Sequence, residues 1–137
     1  MKKVLLVLSL SLAFNTLSAQ EMTHDVIYEN SDLEHYISLS KFEQVIDDYH
    51  FLQYSLSGRD RLTKYSIYHV YFKLDSKNEM INFIEELILT KNNEVKTFSV
   101  GYAISMGDYV SVYDTDINRF INITTKELSD ILEALKQ

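Results

Sequence analysis

The 137-residue chain contains no cysteine, no proline and no tryptophan, and it has only three glycines. Without cysteine there is no disulfide, no lipid-anchored cysteine and no cysteine nucleophile. The scarcity of proline and glycine argues against linkers, low-complexity segments and a second domain. A chain of this length is long enough to bury a hydrophobic core in one domain, so its stability must come from packing alone.

The first 19 residues match a secretory signal peptide. Lys2 and Lys3 are followed by a short apolar run over residues 4–14, and Ala19 supplies a small residue for cleavage. The run is too short for a transmembrane helix and no later stretch is longer, so we expect no membrane anchor. We predict cleavage after Ala19 and export to the periplasm or the extracellular space. The alternative is a cytosolic chain with an apolar amino-terminal helix.

The charge balance is acidic, with 20 aspartates and glutamates against 13 lysines and arginines, a formal net charge of −7. Removing Lys2 and Lys3 with the signal peptide changes this to −9. Such a chain repels nucleic acids and anionic lipid surfaces, so neither is an expected partner. A protein partner is electrostatically favourable if it is basic.

Hydrophobic spacing predicts one α+β domain over residues 35–137, preceded by a loosely ordered segment over residues 20–34 with at most a short strand. Capping-box spacings start three predicted helices, at Lys41, Lys77 and Lys126. The helix from Lys41 extends to about residue 52, and a turn follows over residues 57–60. Alternation predicts strands over residues 64–74, 95–104, 108–114 and 119–123. We expect a mostly antiparallel sheet of four to five strands, with two or three helices packed mainly on one face.

Two local features leave alternatives. Residues 80–90 fit a helix better than a strand, but a strand there would give a longer meander wrapped on two helices. Between residues 104 and 108, a three-residue loop with Gly107 in the left-handed conformation places Tyr102 opposite Val110. A two-residue loop would move the valines to the other face, so we prefer the three-residue loop.

Tyrosine is the unusual component, with ten copies in the chain. In the preferred register Tyr109 and Tyr113 lie on the face opposite the apolar one, beside Ser99 and Ser111. A face with this composition is typical of a recognition surface, and these four residues form our candidate binding site. The alternative is that the tyrosines are ordinary strand residues that shield small neighbours.

Other chemistry-bearing residues give weaker signals. His69 lies between apolar neighbours in a predicted strand, next to Tyr71, and the two form a candidate polar site. The histidines show no metal-ligand spacing, and the aspartate-rich turn that starts at Asp114 lacks the glycine and the glutamate of a calcium loop. No serine-nucleophile or phosphate-binding motif is present, so we predict neither a metal nor a cofactor.

Three classes of function remain. The first is an exported, soluble, non-enzymatic protein that binds another macromolecule, as an inhibitor or a toxin-neutralising protein does. The second is an envelope protein that binds a small ligand in a pocket between sheet and helices. The third is an envelope hydrolase that uses a carboxylate pair or His69. The absent catalytic motifs, the acidity and the tyrosines place the first class ahead.

Overall fold

The computed structural model describes residues 22–31, 35–59 and 69–137, and the predicted signal peptide lies outside them. These residues form two four-stranded antiparallel sheets and two helices, so the broad α+β class is right but two sheets replace the single one that we expected. The first sheet has the order β1 (Met22–Ser31), β2 (Tyr36–Ile46), β3 (Tyr49–Arg59), β4 (His69–Leu74). The second has the order β5 (Val95–Phe98), β6 (Gly101–Ser105), β7 (Tyr109–Asp114), β8 (Arg119–Thr124). The helices are α1 (Lys77–Leu89) and α2 (Thr125–Lys136).

Buried apolar side chains from both sheets and both helices form one core. The sheets meet where β3 and β4 contact β8, and the two helices contact each other. Gly58 of β3 marks this junction, because a Cβ atom there would lie 2.9 Å from the side chains of both Ile121 and Ile37. Glycine therefore permits the close approach of the two sheets at this point.

Both helices begin where the capping pattern predicted. The Ser76 hydroxyl accepts a hydrogen bond from the backbone N–H of Glu79 at 3.1 Å, which starts α1. Thr124 and Glu127 form a complete capping box at the start of α2. Residues 80–89 are thus helical, with Met80, Phe83, Ile84 and Leu87 buried against the core.

The helix predicted over residues 41–52 is wrong. These residues form the β2–β3 hairpin, which turns at Asp47 and Asp48 with Asp47 at a φ of 52°. Aspartate tolerates this left-handed conformation better than most residues. The apolar residues at positions 42, 45, 46 and 49 match helical spacing by coincidence: the hairpin places 42, 46 and 49 on one face and Val45 on the other.

The amino-terminal part is more regular than we expected. Met22–Ser31 forms a ten-residue strand along β2, and Ile27 and Tyr28 pack against the core. The turn predicted over residues 57–60 is also wrong up to residue 59, because Ser57, Gly58 and Arg59 continue β3. Pairing with β4 on one side and β2 on the other keeps this segment extended.

The single strand predicted over residues 95–104 is in fact two strands. The chain reverses at Ser99 and Val100, so that Phe98 pairs with Gly101. Gly101 has a φ of 144°, and a Cβ atom there would lie 1.8 Å from the backbone oxygen of Tyr113. Only glycine fits this position, and its place in the middle of an alternating run was the signal for a turn.

The predicted register between β6 and β7 is wrong by three residues. Tyr102 lies opposite Tyr113, not Val110, and the turn is Gly107-Asp108, closed by a bond from the Met106 N–H to the Tyr109 carbonyl at 2.8 Å. Gly107 does take a positive φ, of 89°, as predicted. The buried partners are Ala103 and Val112, since the apolar residues of β7 face the small residues of β6.

The remaining strands agree with prediction where they are described. Arg119–Thr124 forms β8, and His69–Leu74 forms β4, while the rest of the strand predicted over residues 64–74 lies outside the described residues. Neither α1 nor α2 is long and apolar enough to cross a bilayer.

Candidate functional site

The structure places three of the four predicted binding residues on one sheet face. In β7, Tyr109, Ser111 and Tyr113 alternate with the buried valines and point to the outer side of the second sheet. Ser99 lies apart from them, exposed in the β5–β6 turn. Gly101 and Ala103 of the neighbouring strand β6 are buried.

Most of this outer face is occupied by contacts within the sheet. Tyr102 stacks on Tyr113 with ring centroids 4.7 Å apart, and Tyr113 stacks on Phe120 at 4.9 Å. Ser111 is buried and donates a hydrogen bond to the side-chain oxygen of Asn122 at 2.7 Å. The ring faces therefore contact one another across three strands, and such cross-strand pairs stabilise a sheet.

For the other predicted site, the polar pair His69 and Tyr71, the structure describes the backbone alone. His69 and Tyr71 belong to β4 by their backbone, paired with Arg59 and Ser57 of β3. The positions of these two side chains lie outside the described part of the structure, so the polar site stays a prediction. The calcium-like turn is an ordinary one, because the Asp114 carboxylate accepts backbone bonds from Asp116 and Ile117 at 2.9 and 3.3 Å.

A polar cleft of about 510 Å³ opens where β1 and the start of β2 meet α2. Glu127 lies at its base, only 5% exposed. Its carboxylate accepts hydrogen bonds from Asn30 at 2.7 Å and from the Thr124 N–H at 2.9 Å, and it lies 2.8 and 2.9 Å from the His35 Nε2 atom. This one side chain therefore caps α2 and ties the first sheet to it.

The hydrogen-bond donors around Glu127 lower the pKa of its carboxyl group. Burial alone would raise the pKa of this carboxyl, but the bonds from Thr124, His35 and Asn30 outweigh burial, and the pKa is below its usual value. The neighbouring Tyr28 phenol has a raised pKa because of its burial and the charges of Glu127 and Asp130. The cleft is thus anionic at neutral pH.

The histidine–carboxylate pair in this cleft resembles half of a catalytic site, and the one hydroxyl that contacts its carboxylate among the described residues is that of Thr124. The Thr124 hydroxyl donates to Glu127 at 2.9 Å and accepts from the Glu127 N–H at 3.2 Å, so it is held in the capping box. Among the described residues, no group of three or more histidine, aspartate and glutamate side chains is arranged to hold a metal ion. The contacts fit a structural role for this pair.

A second open cleft, of about 550 Å³, lies between α1 and the β5–β6 turn. Phe83 and Phe98 meet edge to face at its apolar base, with ring centroids 4.9 Å apart. Its lining includes Ser99, the carboxylates of Asp75, Glu79 and Glu86, and Lys73, and Lys96 lies 3.5 Å from the Glu86 carboxylate. Apolar contact combined with surrounding negative charge suits an organic cation.

Six of the eleven exposed large hydrophobic residues in the described part of the chain lie in neither cleft but on the outer part of the first sheet. We call residues 22–26 of β1 and residues 42–53 of the β2–β3 hairpin the distal arm. The burial pattern along β2 and β3 shows that the inner part of each strand is buried, that residues 41–44 and 52–53 are half-buried, and that residues 45–46 and 49–51 next to the hairpin turn are exposed. Strands of 11 residues therefore run past the core that covers their inner ends.

One face of the distal arm is mostly apolar, with Gln44 and Gln53 among its apolar residues. Residue pairing places Met22, Val26, Ile46, Tyr49 and Phe51 on the same side, and all five are among the exposed large hydrophobic residues of the described chain. Tyr49 is 83% exposed and Phe51 is 47% exposed. His24 and Phe42 stack on this side with ring centroids 4.4 Å apart. We call these seven residues the arm face.

The arm is also acidic. It carries exposed Asp47 and Asp48 at the hairpin turn, Asp25 on β1 and Glu43 on β2, and Lys41 at its inner end supplies one positive charge. The Glu43 carboxylate contacts Lys41 at 2.7 Å and His50 at 2.6 Å on the face opposite the arm face. Hydrogen bonds from Lys41 and then His50 lower the pKa of Glu43. Asp47 and Asp48 are the charges next to the arm face, whereas Asp25 lies on the opposite face with Lys41 as its partner on β2.

No protein-family model, no curated protein and no solved structure matches this chain. The site must therefore be argued from its own geometry. Sequence reasoning missed the arm face because it assigned residues 41–52 to an amphipathic helix with Phe42, Val45, Ile46 and Tyr49 on its apolar side. The available signal was the Asp47-Asp48 pair between two runs rich in aromatic and β-branched residues, which is typical of a hairpin.

Proposed function

We propose that the protein is exported and acts as a non-enzymatic binding protein that docks a basic protein on the arm face. The observation that carries the proposal is the concentration of exposed apolar side chains on a part of the sheet that extends past the core. Contiguous exposed apolar patches are uncommon on monomeric proteins unless they form an interaction site. Tyrosine, phenylalanine and methionine are also the residue types that interface centres favour.

The charge of the arm supports a basic partner. Asp47 and Asp48 lie at the hairpin turn beside the arm face, Asp25 lies on the opposite face of the arm, and the whole chain is acidic. A basic partner would be attracted at long range and then held by apolar burial, as in inhibitors and toxin-neutralising proteins. A second copy of this chain fits less well, because two acidic arms would repel each other.

The proposal is tested by capture from an extracytoplasmic extract with three forms of the protein at low and high salt. The forms are the wild type, the arm variant Tyr49→Ser/Phe51→Ser and the control Leu89→Ser. Leu89 is 71% exposed at the end of α1, so its replacement removes similar apolar surface from another part of the molecule.

The proposal predicts one basic protein, identified by mass spectrometry, that the wild type and the Leu89 control retain and the arm variant loses. Retention should fall at high salt, because screening weakens the attraction to the aspartates. Equal retention by the arm variant, or capture of no protein by the wild type at low salt, would contradict it.

Export has its own test. The predicted signal peptide over residues 1–19 requires the protein in the extracytoplasmic fraction to begin at Gln20. Its intact mass should therefore lack the first 19 residues. A full-length mass confined to the cytoplasmic fraction would contradict export without bearing on the arm face.

A second candidate function is the binding of a small organic cation in the cleft above Phe83 and Phe98, favoured by its carboxylate rim. Thermal unfolding with phenethylamine, and with the uncharged ethylbenzene as a control, tests it. A rise in melting temperature with the amine alone, abolished by Glu86→Gln, is the expected result. No shift with the amine would remove this candidate.

A further inference from the structure

The outer edge of β1 indicates how the partner binds. We propose, on the basis of the proposed function, that the partner contributes an extended segment that adds as a fifth strand along residues 22–26 of β1. Strand addition supplies main-chain hydrogen bonds from an unpaired sheet edge and leaves the alternating side chains to provide specificity.

The edge is available over a defined length. In the described part of the chain, β1 pairs with β2 on one side and no strand pairs with it on the other. Residues 22–26 are all exposed, and they contain no lysine or proline, the residues that commonly protect such edges. The register shifts between Val26 and Tyr28, and beyond this bulge Asn30 is bonded to Glu127 of α2. The free edge therefore ends at Val26 and fits a segment of about five residues.

The side chains of this edge specify the composition of the added strand. Met22, His24 and Val26 lie on the arm face, whereas Thr23 and Asp25 lie on the opposite face. Side chains of the incoming strand that point to the arm face would extend its apolar surface. Those on the other face would lie beside Asp25, whose neighbour on β2 is Lys41, so that a lysine or arginine of the added strand would give Asp25 a second basic neighbour. The expected segment alternates apolar and basic residues.

The test uses synthetic fluorescent hexapeptides and fluorescence anisotropy with the full-length protein. The parent peptide alternates valine and lysine. One variant carries N-methyl groups on two adjacent central residues, so that each edge of the peptide lacks a hydrogen-bond donor in either orientation. A second variant has the same composition in two blocks, three valines followed by three lysines.

We expect the parent to bind and the N-methylated peptide to bind at least about tenfold more weakly, because it loses main-chain bonds. The block peptide should also bind more weakly, since it cannot present one side chain type on each face. Asp25→Asn should weaken parent binding several-fold, whereas Asp116→Asn, an exposed aspartate in the β7–β8 turn, should not.

Equal binding of the parent and N-methylated peptides would overturn strand addition. So would failure of the parent to bind while capture from the extract still depends on Tyr49 and Phe51, and in that case the proposed function would survive. If capture also failed to depend on the arm, both proposals would fall. If N-methylation weakened peptide binding but Asp25→Asn did not, the placement of the peptide's basic side chains beside Asp25 would be overturned.

Discussion

The two sheets have the same topology but use their aromatic residues differently. In the second sheet, strands of four to six residues stack Tyr102, Tyr113 and Phe120 on one another. In the first sheet, strands of ten and eleven residues extend past the core and leave Tyr49 and Phe51 exposed. Folding accounts for the aromatic residues of the second sheet. It does not account for those of the arm, which is why we assign them to binding.

The largest expected effect disrupts the second sheet. Gly101→Ala should lower the free energy of unfolding by about 3 kcal/mol, because the new Cβ would overlap the backbone oxygen of Tyr113 and the φ of 144° disfavours alanine. Gly107→Ala is the matched control, since its φ is also positive but nothing lies within 4 Å of the new Cβ. Urea denaturation measures both. Equal losses would show that close packing at Gly101 is not the cause.

The second-largest expected effect comes from replacing Glu127 of α2, which anchors the inner end of the first sheet. Glu127→Gln should cost about 1–3 kcal/mol at pH 7, because the replacement removes the charge that Thr124, Asn30 and His35 surround. Glu133→Gln, exposed on the same helix, should cost little.

The loss of stability caused by Glu127→Gln should become smaller as the pH falls. The pKa of Glu127 is lower in the folded protein than its usual value of 4.5, so the stabilisation is present above that value. It is lost as the pH falls through the lowered pKa and the carboxylate becomes protonated. The difference between wild type and Glu127→Gln should therefore narrow below about pH 4.5 in urea denaturation. A difference that stays constant down to pH 2 would contradict the assignment.

The smallest expected changes in stability come from removing one aromatic side chain from each sheet. Tyr113→Ala should cost about 1–2 kcal/mol, because it removes the ring stacked between Tyr102 and Phe120. Tyr49→Ala should change stability by no more than about 0.5 kcal/mol, because the side chain is 83% exposed. If Tyr49→Ala cost as much as Tyr113→Ala, the arm would be a structural element and the contrast between the sheets would fail.

Local signals in the sequence predicted the parts of the fold that depend on local physics. The caps at Ser76 and Thr124 fixed the starts of both helices, and alternation located β8. The failures came from partners distant in sequence. The apolar spacing over residues 41–52 fits a helix as well as it fits a hairpin. Only the pairing with β1 and with the inner part of the sheet makes these residues strands.

The candidate site shows the same division. Alternation along β7 correctly placed Tyr109, Ser111 and Tyr113 on one face. It could not show that Tyr113 stacks between rings of two other strands, because that depends on the register set by the Gly107-Asp108 turn, which we had predicted as a three-residue loop. The contact of Glu127 with Asn30 and His35 joins residues more than 90 positions apart, and no local pattern predicts it.

The central claim is that the partner contacts the arm and not the outer face of the second sheet. The most direct test places the photo-cross-linking residue p-benzoylphenylalanine at Tyr49 in one variant and at Tyr113 in another, and irradiates each in an extracytoplasmic extract. Both changes replace one aromatic side chain with a larger one. We expect a cross-linked basic protein from position 49 and none from position 113. A cross-link from position 113 alone would contradict the assignment and favour the face that contains Tyr109 and Ser111.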